Sequence, residues 1–414
     1  MEKDKLEPKL RFPGFTEPWE HRKLGNISKK CIVKNTNKAI TETFTNSAEH
    51  GIVSQRDFFD KDIANQENIS SYYVVNIDDF VYNPRISSSA PCGPISRNKL
   101  GRQGIMSPLY TVFSPSGVDL AFLEQYFKTS RWYSYMYLNG DTGARADRFA
   151  IKDKSFFDMP IATPSSLNEQ EIISTFLDQT DYRITLHQRK EEELQKLKKG
   201  LLQKMFPKDG ESVPEVRFPN FTNTWEQREL TCLIRLERGL TYKPEDIRED
   251  GIRVLRSSNI VGDSFILAYD DVFVDPRVVN IPFSEDGDIL ITAANGSSKL
   301  VGKHALIKGV KPETTVPGGF MFVGKTEYPD FVNALLSAPW YSRFIAKSTA
   351  GGNGAIGNLN KNSLMKTLIF KPSLSEMDCI GYMFSMIDSL ITLHHRKTEE
   401  LKKLKKALLQ QMFV

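Results

Sequence analysis

Two stretches of this chain repeat apolar residues in alternating steps of three and four. Among Ile380, Met383, Ile387, Leu390, His394, Lys397, Leu401, Leu404 and Leu408, seven of nine positions are apolar. That is the two-column seam of a coiled coil, narrower than the face a helix lays on a globular core. An earlier stretch, Ile173, Phe176, Thr180, Arg183, His187, Lys190, Leu194, Leu197 and Leu201, keeps the spacing, apolar at its ends and polar in its middle. Pro164 and Pro372, each with polar neighbours, precede these stretches as helix starts require. The lysines near their ends (Lys196, Lys198, Lys199; Lys403, Lys405, Lys406) suit a helix C-terminus. Elsewhere the pattern is short: Tyr72–Val75, Tyr110–Phe113 and Asp288–Ile291 read as strands between turns. Leu120–Tyr137 and Phe331–Ser348 are aromatic-rich with helical character.

The chain also repeats itself. Pro8–Leu24 returns as Pro214–Leu230 with 10 of 17 residues identical, and Ile184–Phe206 returns as Ile391–Phe413 with 18 of 23. The blocks between the echoes differ almost completely in sequence while nearly matching in length. A duplicated scaffold therefore carries two diverged domains. The expected fold is α+β: mixed domains at 1–163 and 218–371, long helices at 164–206 and 372–414, and a linker at 207–217. The order of parts makes the helices antiparallel partners about an approximate two-fold axis, with Val414 returning to the N-terminal segment. His187 and His394 fall at equivalent seam positions. Two amphipathic helices on separate cores are the alternative.

Composition narrows the class. With 40% apolar and 26% charged residues over 414, two or three ordinary domains fit. No run reaches the ~20 apolar residues of a membrane span, and the N-terminus lacks a signal-peptide core. A cytoplasmic protein without a membrane partner is expected. The four cysteines form no CxxC pair, so neither a metal site nor a disulfide framework is indicated. Fifty-five basic against 51 acidic residues leave only +4, so any polyanion must be bound by local arrangement.

Catalytic signals are weak. Tyr82-Asn83-Pro84-Arg85 lacks the second proline and the aromatic of an amino-methyltransferase motif, and Gly302-Lys303-His304 lacks phosphate-loop spacing. Polar, basic loops remain as DNA-binding candidates: Arg85, Ser87, Ser88, Asn98, Lys99, Arg102 and Gln103 in the first domain. Arg256, Ser257, Asn259, Asn295, Ser297, Ser298, Lys299 and Asn353 are those of the second. Arginine and lysine suit phosphates and guanine, asparagine and glutamine suit adenine, and serine fits either. An ordinary solvated loop is the competing reading of each.

The organisation resembles the specificity subunits of type I restriction–modification enzymes. Each domain opens with Trp-Glu-x-Arg-x-Leu (Trp19–Leu24; Trp225–Leu230), and Ile161–Gln170 resembles the family's Pro-Leu-Pro-x-x-x-Glu-Gln approach to the first helix. The second approach keeps Pro372 but has Glu376-Met377, read as a weakened cap. The resemblance implies two target recognition domains, each reading half of an asymmetric, split site in double-stranded DNA, on helices that set the gap and dock two modification subunits. It also implies no catalytic residue or cofactor in this chain. S-adenosylmethionine, for adenine-N6 methylation, would sit on the modification subunits. ATP and Mg would serve translocation and cleavage by two restriction subunits. A stand-alone methyltransferase or nuclease, or a coiled-coil scaffold without DNA, are the alternatives.

Overall fold

The computed structural model describes residues 6–58, 69–142, 147–349 and 357–414. Contacts group the chain into two units, Met1–Leu186 with Lys397–Val414, and His187–Arg396. Each is an α+β body built on the same antiparallel sheet. In the first its order is Ser28–Lys30, Thr111–Pro115, Phe80–Tyr82, Ile95–Arg97. In the second it is Arg235–Arg238, Met321–Lys325, Ile289–Thr292, His304–Leu306. The central strands, Phe80–Tyr82 and Ile289–Thr292, are buried on both faces, which is why they appear as continuous apolar runs.

The two aromatic-rich segments each form two helices where one was expected: Leu120–Phe127 and Tyr133–Asn139, then Pro329–Ser337 and Pro339–Thr349. Thr129 ends the first by returning its hydroxyl to the Tyr126 carbonyl at 2.7 Å. Pro339 breaks the second pair by holding Ala338 extended.

The long helices are Leu167–Lys204 and Leu374–Met412. Their segments run antiparallel within each unit. In the first, Ile173 and Leu177 share a core with Leu408, Met412 and Phe413, and Asp181 meets Lys405. Leu10 donates its N–H to the Gln411 carbonyl, so the C-terminus does return to the N-terminal segment. In the second, Leu202, Met205 and Phe206 share a core with Met377, Ile380, Phe384 and Ile387. His187 and His394 meet there Nδ1 to Nδ1 at 2.8 Å, a bond that needs one ring neutral to accept.

The seam needs one correction. Ile173, Ile380, Ile387 and Leu408 are buried, and Leu194, Leu201 and Leu401 are half-buried. The other column is shifted by one residue. Phe176, Leu197, Leu390 and Leu404 are 38–51% exposed, and Met383 is only half-buried. Their places are taken by Leu177, Lys198, Ile391, Lys405 and Phe384, the next residue in each case. Both steps of three and steps of four passed through apolar residues at Phe176-Leu177, Met383-Phe384 and Leu390-Ile391, so the pattern alone did not choose. Lys198 and Lys405 thus enter the seam, and they do more than complement helix ends.

Each domain is closed where its opening strand meets the strand leading into its helix. Glu20–Lys23 pairs with Pro160–Thr163, and Glu226–Glu229 with Leu368–Lys371. The helix starts are tied to the N-terminal echoes by buried bidentate pairs, Arg11 on Glu169 (2.7 and 2.9 Å) and Arg217 on Glu376 (2.6 and 2.7 Å). The Glu376-Met377 start is therefore no weakened cap. The Ser166 and Ser373 hydroxyls accept alike from Glu169 N and Glu376 N, each at 3.4 Å. What differs is the next residue: Gln170 accepts from Asp119 N and donates to the Pro164 carbonyl, whereas Met377 packs into the core.

Candidate nucleic-acid interface

In the second domain three of the predicted residues converge. The strand Ile252–Leu255 delivers Arg256 and Ser257, and the segment beyond Ile289–Thr292 delivers Asn295. Asn295 donates to Ser257 Oγ at 3.2 Å and accepts from Ser297 N at 2.9 Å. With Tyr242, Gly318, Gly319 and Phe320 they line a cavity of about 710 Å³. Arg256 gives one guanidinium nitrogen to the Asp270 carbonyl at 3.2 Å, while its buried Nε has no partner among the described residues. A buried donor left unpaired favours an incoming acceptor oxygen or ring nitrogen. Phe320 is 67% exposed at the rim. It follows a double glycine in a tight passage: a Cβ on Gly318 would lie 3.2 Å from the Leu255 carbonyl oxygen, and one on Gly319 would lie 3.3 Å from the Leu240 carbonyl oxygen. Ser297, Ser298 and Lys299 are exposed just beyond Asn295, and Asn353 lies outside the described residues.

Asn259 departs from its expected place on the binding surface. It is fully buried, accepting from Arg256 N and donating to the Ile266 carbonyl and Asp271. Asn98 in the first domain is its counterpart in role, fully buried and spanning the Asn76 and Arg102 carbonyls and Leu100 N. Both asparagines shape loops that other residues present. Around Asn98 the exposed cations already hold carboxylates, Lys99 on Glu124 and Arg102 on Glu42, each at 3.0 Å, and Gln103 bonds Asn76. Arg85, Ser87 and Ser88 are exposed on a different loop. Arg85 is bridged through its backbone to Arg148, also exposed. A cavity in the first domain, about 680 Å³ between Tyr82, Asn139 and Lys152, is lined by none of the predicted residues. Sequence reasoning missed Arg148 and Phe320; a double glycine before an exposed aromatic was the one usable signal.

Among the described residues no group of three or more His, Cys, Asp or Glu is placed to hold a metal, and no helix is long and apolar enough to cross a membrane.

The two domains share one strand order, close onto repeated helix segments and differ in their loops. Residues 16–196 match the type I restriction modification DNA specificity domain. The type I restriction enzyme MjaVIII specificity subunit of Methanocaldococcus jannaschii is 23% identical over 274 residues, 63% of this chain and 62% of that protein's length. In fold, the chain is similar to the type I restriction–modification S subunit of M. genitalium (TM-score 0.65, 16% identity, 99% of each chain). It is also similar to a chain solved in work on assembly and conformational transition of a type I R-M system (TM-score 0.51, 14% identity, 98% of each chain). Residues 16–196 are thus similar to a type I DNA specificity domain, and the chain as a whole shares the fold of a type I S subunit.

Proposed function

We propose that this chain is the DNA-reading subunit of a type I restriction–modification complex, its two domains each reading one half of an asymmetric split site. One observation carries the reading: the same sheet is mounted twice on near-identical helix segments, while the loops it presents differ. Two related readers with different surfaces imply two related half-sites with different bases. In the second domain Arg256 meets a base edge or phosphate, Asn295 and Ser257 supply matched donors and acceptors, and Phe320 offers an aromatic face. In the first domain Arg85 and Arg148 form the cationic edge.

The reading assigns methyl transfer and cleavage to partner subunits, with their S-adenosylmethionine, ATP and Mg. The exposed apolar residues of the second helix, Tyr382, Met386 and Leu393, suit docking of a modification subunit. Mapping methylated adenines in cells making the complex tests this. Arg256→Ala should weaken one half-site by about 1–3 kcal/mol and leave the other unchanged. A methylome with no split motif, or equal loss at both halves, would refute it.

A further inference from the structure

The duplicated helices carry a matching pair of polar residues that the seam pattern conceals. Asp181 and Asp388 are equivalent in the repeat, as are Lys198 and Lys405. Each unit joins one Asp to one Lys across its two helix segments: Asp181 with Lys405 in the first, Asp388 with Lys198 at 2.7 Å in the second. The helices thus provide each domain with the same two-charge clasp.

The domains grip it from opposite sides. In the first unit Asp181 is the centre: besides Lys405 it receives Lys128 and Gln125, each at 3.2 Å, from the end of the domain's helix Leu120–Phe127. In the second unit Lys198 is the centre. Its buried ammonium meets Asp263 at 3.1 Å, from the turn between strands Ile260–Val261 and Ser264–Phe265. One domain offers a cation to the shared acid, and the other offers an acid to the shared cation.

We infer that Asp181 and Lys198 are positioning residues, each fixing its domain on the helix segments and thereby the place of its half-site. This rests on the proposed split-site reading. A charge held between two partners, buried at Lys198 and half-buried at Asp181, has fewer good positions than an apolar contact. The packed core gives each domain its attachment, and the clasp gives it one orientation. Loosening a clasp should therefore blur the spacing between half-sites and leave the bases read unaltered.

The test uses the full chain assembled with its modification subunits. Lys198→Met keeps length and burial while removing the charge, Lys198→Arg keeps the charge, and Asp181→Asn is the counterpart in the first unit. Two readouts are taken. Hydrogen exchange of Ile260–Phe265 without DNA should quicken at least about five-fold in Lys198→Met and stay near the parent's rate in Lys198→Arg. Adenine-methylation mapping should show sites with the gap one base pair longer or shorter rising at least about ten-fold in Lys198→Met and Asp181→Asn, with both half-site sequences retained. Unchanged exchange, a single parental gap, altered half-site bases, or loss of methylation in a natively folded variant would each overturn the inference. Should Lys198→Met fail to fold, Asp263→Ala, altering a largely exposed residue, carries the same readouts. A parent complex that methylates no split site would refute the proposed function instead, while the exchange readout still tests the clasp.

Discussion

The two domains share a sheet and a mount, yet equivalent residues in them experience opposite electrostatics. Asp181 faces two ammonium groups. Burial raises its carboxyl, but Lys128 and Lys405 outweigh that, and it lies below the ordinary aspartate value. Asp388, its repeat partner, pairs with Lys198, but burial outweighs that and, with Asp263 nearby, pushes it up. The lysines mirror this. Lys405 is lowered by burial and by like-charged Lys128, while Lys198, between Asp388 and Asp263, is raised despite burial. Near-identical helix sequences thus acquire different chemistry from the domain that docks on them. The difference is supplied by Lys128 and Asp263, in the blocks that share no sequence.

The largest expected effects lie where the two copies agree. Glu376→Ala strands the Arg217 guanidinium, 12% exposed in the fold, and should lower stability by about 3–5 kcal/mol. Glu169→Ala should cost more, because Glu169 also accepts from Trp19 Nε1 at 3.2 Å. Trp225 Nε1, the counterpart, has no partner among the described residues. Urea unfolding that ranked Glu376→Ala above Glu169→Ala would break this account of the two helix starts.

A middling effect is expected where the copies differ by one residue. Gln170→Met leaves Asp119 N and the Pro164 carbonyl without their bonds, costing about 1–3 kcal/mol. Met377→Gln should also destabilise, because it places an amide in the apolar core into which Met377 packs. If either exchange were neutral in a denaturant titration, the two sites would be interchangeable and the comparison would lose its point.

The clasps should separate by pH. Asp181 has its carboxyl lowered by folding, so its contribution is present above the ordinary aspartate value of about 3.9 and is lost as pH falls through the folded value. Asp388 is raised, so its protonated form is favoured in the fold. What that favours is present in acid and is lost as pH rises through the raised value. The stability advantage of the parent over Asp181→Asn should shrink from pH 6 to pH 3, and over Asp388→Asn it should grow. Urea midpoints moving in the same direction for both variants would contradict the opposite environments assigned here.

Much of this was legible in the sequence because it was written twice. The repeat exposed the antiparallel pairing of the helix segments and the meeting of His187 with His394. Charged seam residues were not legible: Lys198 and Lys405 look like solvent-facing lysines until Asp388 and Asp181 are found beside them, 190 and 224 positions away in sequence. Loop asparagines posed the reverse problem. Asn98, Asn259 and Asn295 have the same donors and acceptors, and only burial separates the two that shape loops from the one that lines a cavity. Local sequence carries no information on which carbonyls will surround an amide.

The smallest predicted effect concerns Leu197 and Leu404, equivalent residues in the shifted column. A leucine on a heptad stripe beside a lysine invites the assignment of leucine inside and lysine outside, and here the order is reversed in both copies. Leu197 is 50% exposed and Leu404 51%, while Lys198 and Lys405 point inward to their aspartates. Truncating a half-exposed leucine opens no cavity, and alanine is the better helix former, so the lost contact and the gained propensity nearly cancel. Leu197→Ala and Leu404→Ala should each stay within about 0.5 kcal/mol of the parent. Leu177→Ala, from the column that is buried, should cost about 2–5 kcal/mol. If Leu197→Ala or Leu404→Ala cost as much as Leu177→Ala in the same urea titration, those leucines would be in the seam, the lysines outside it, and neither clasp would exist.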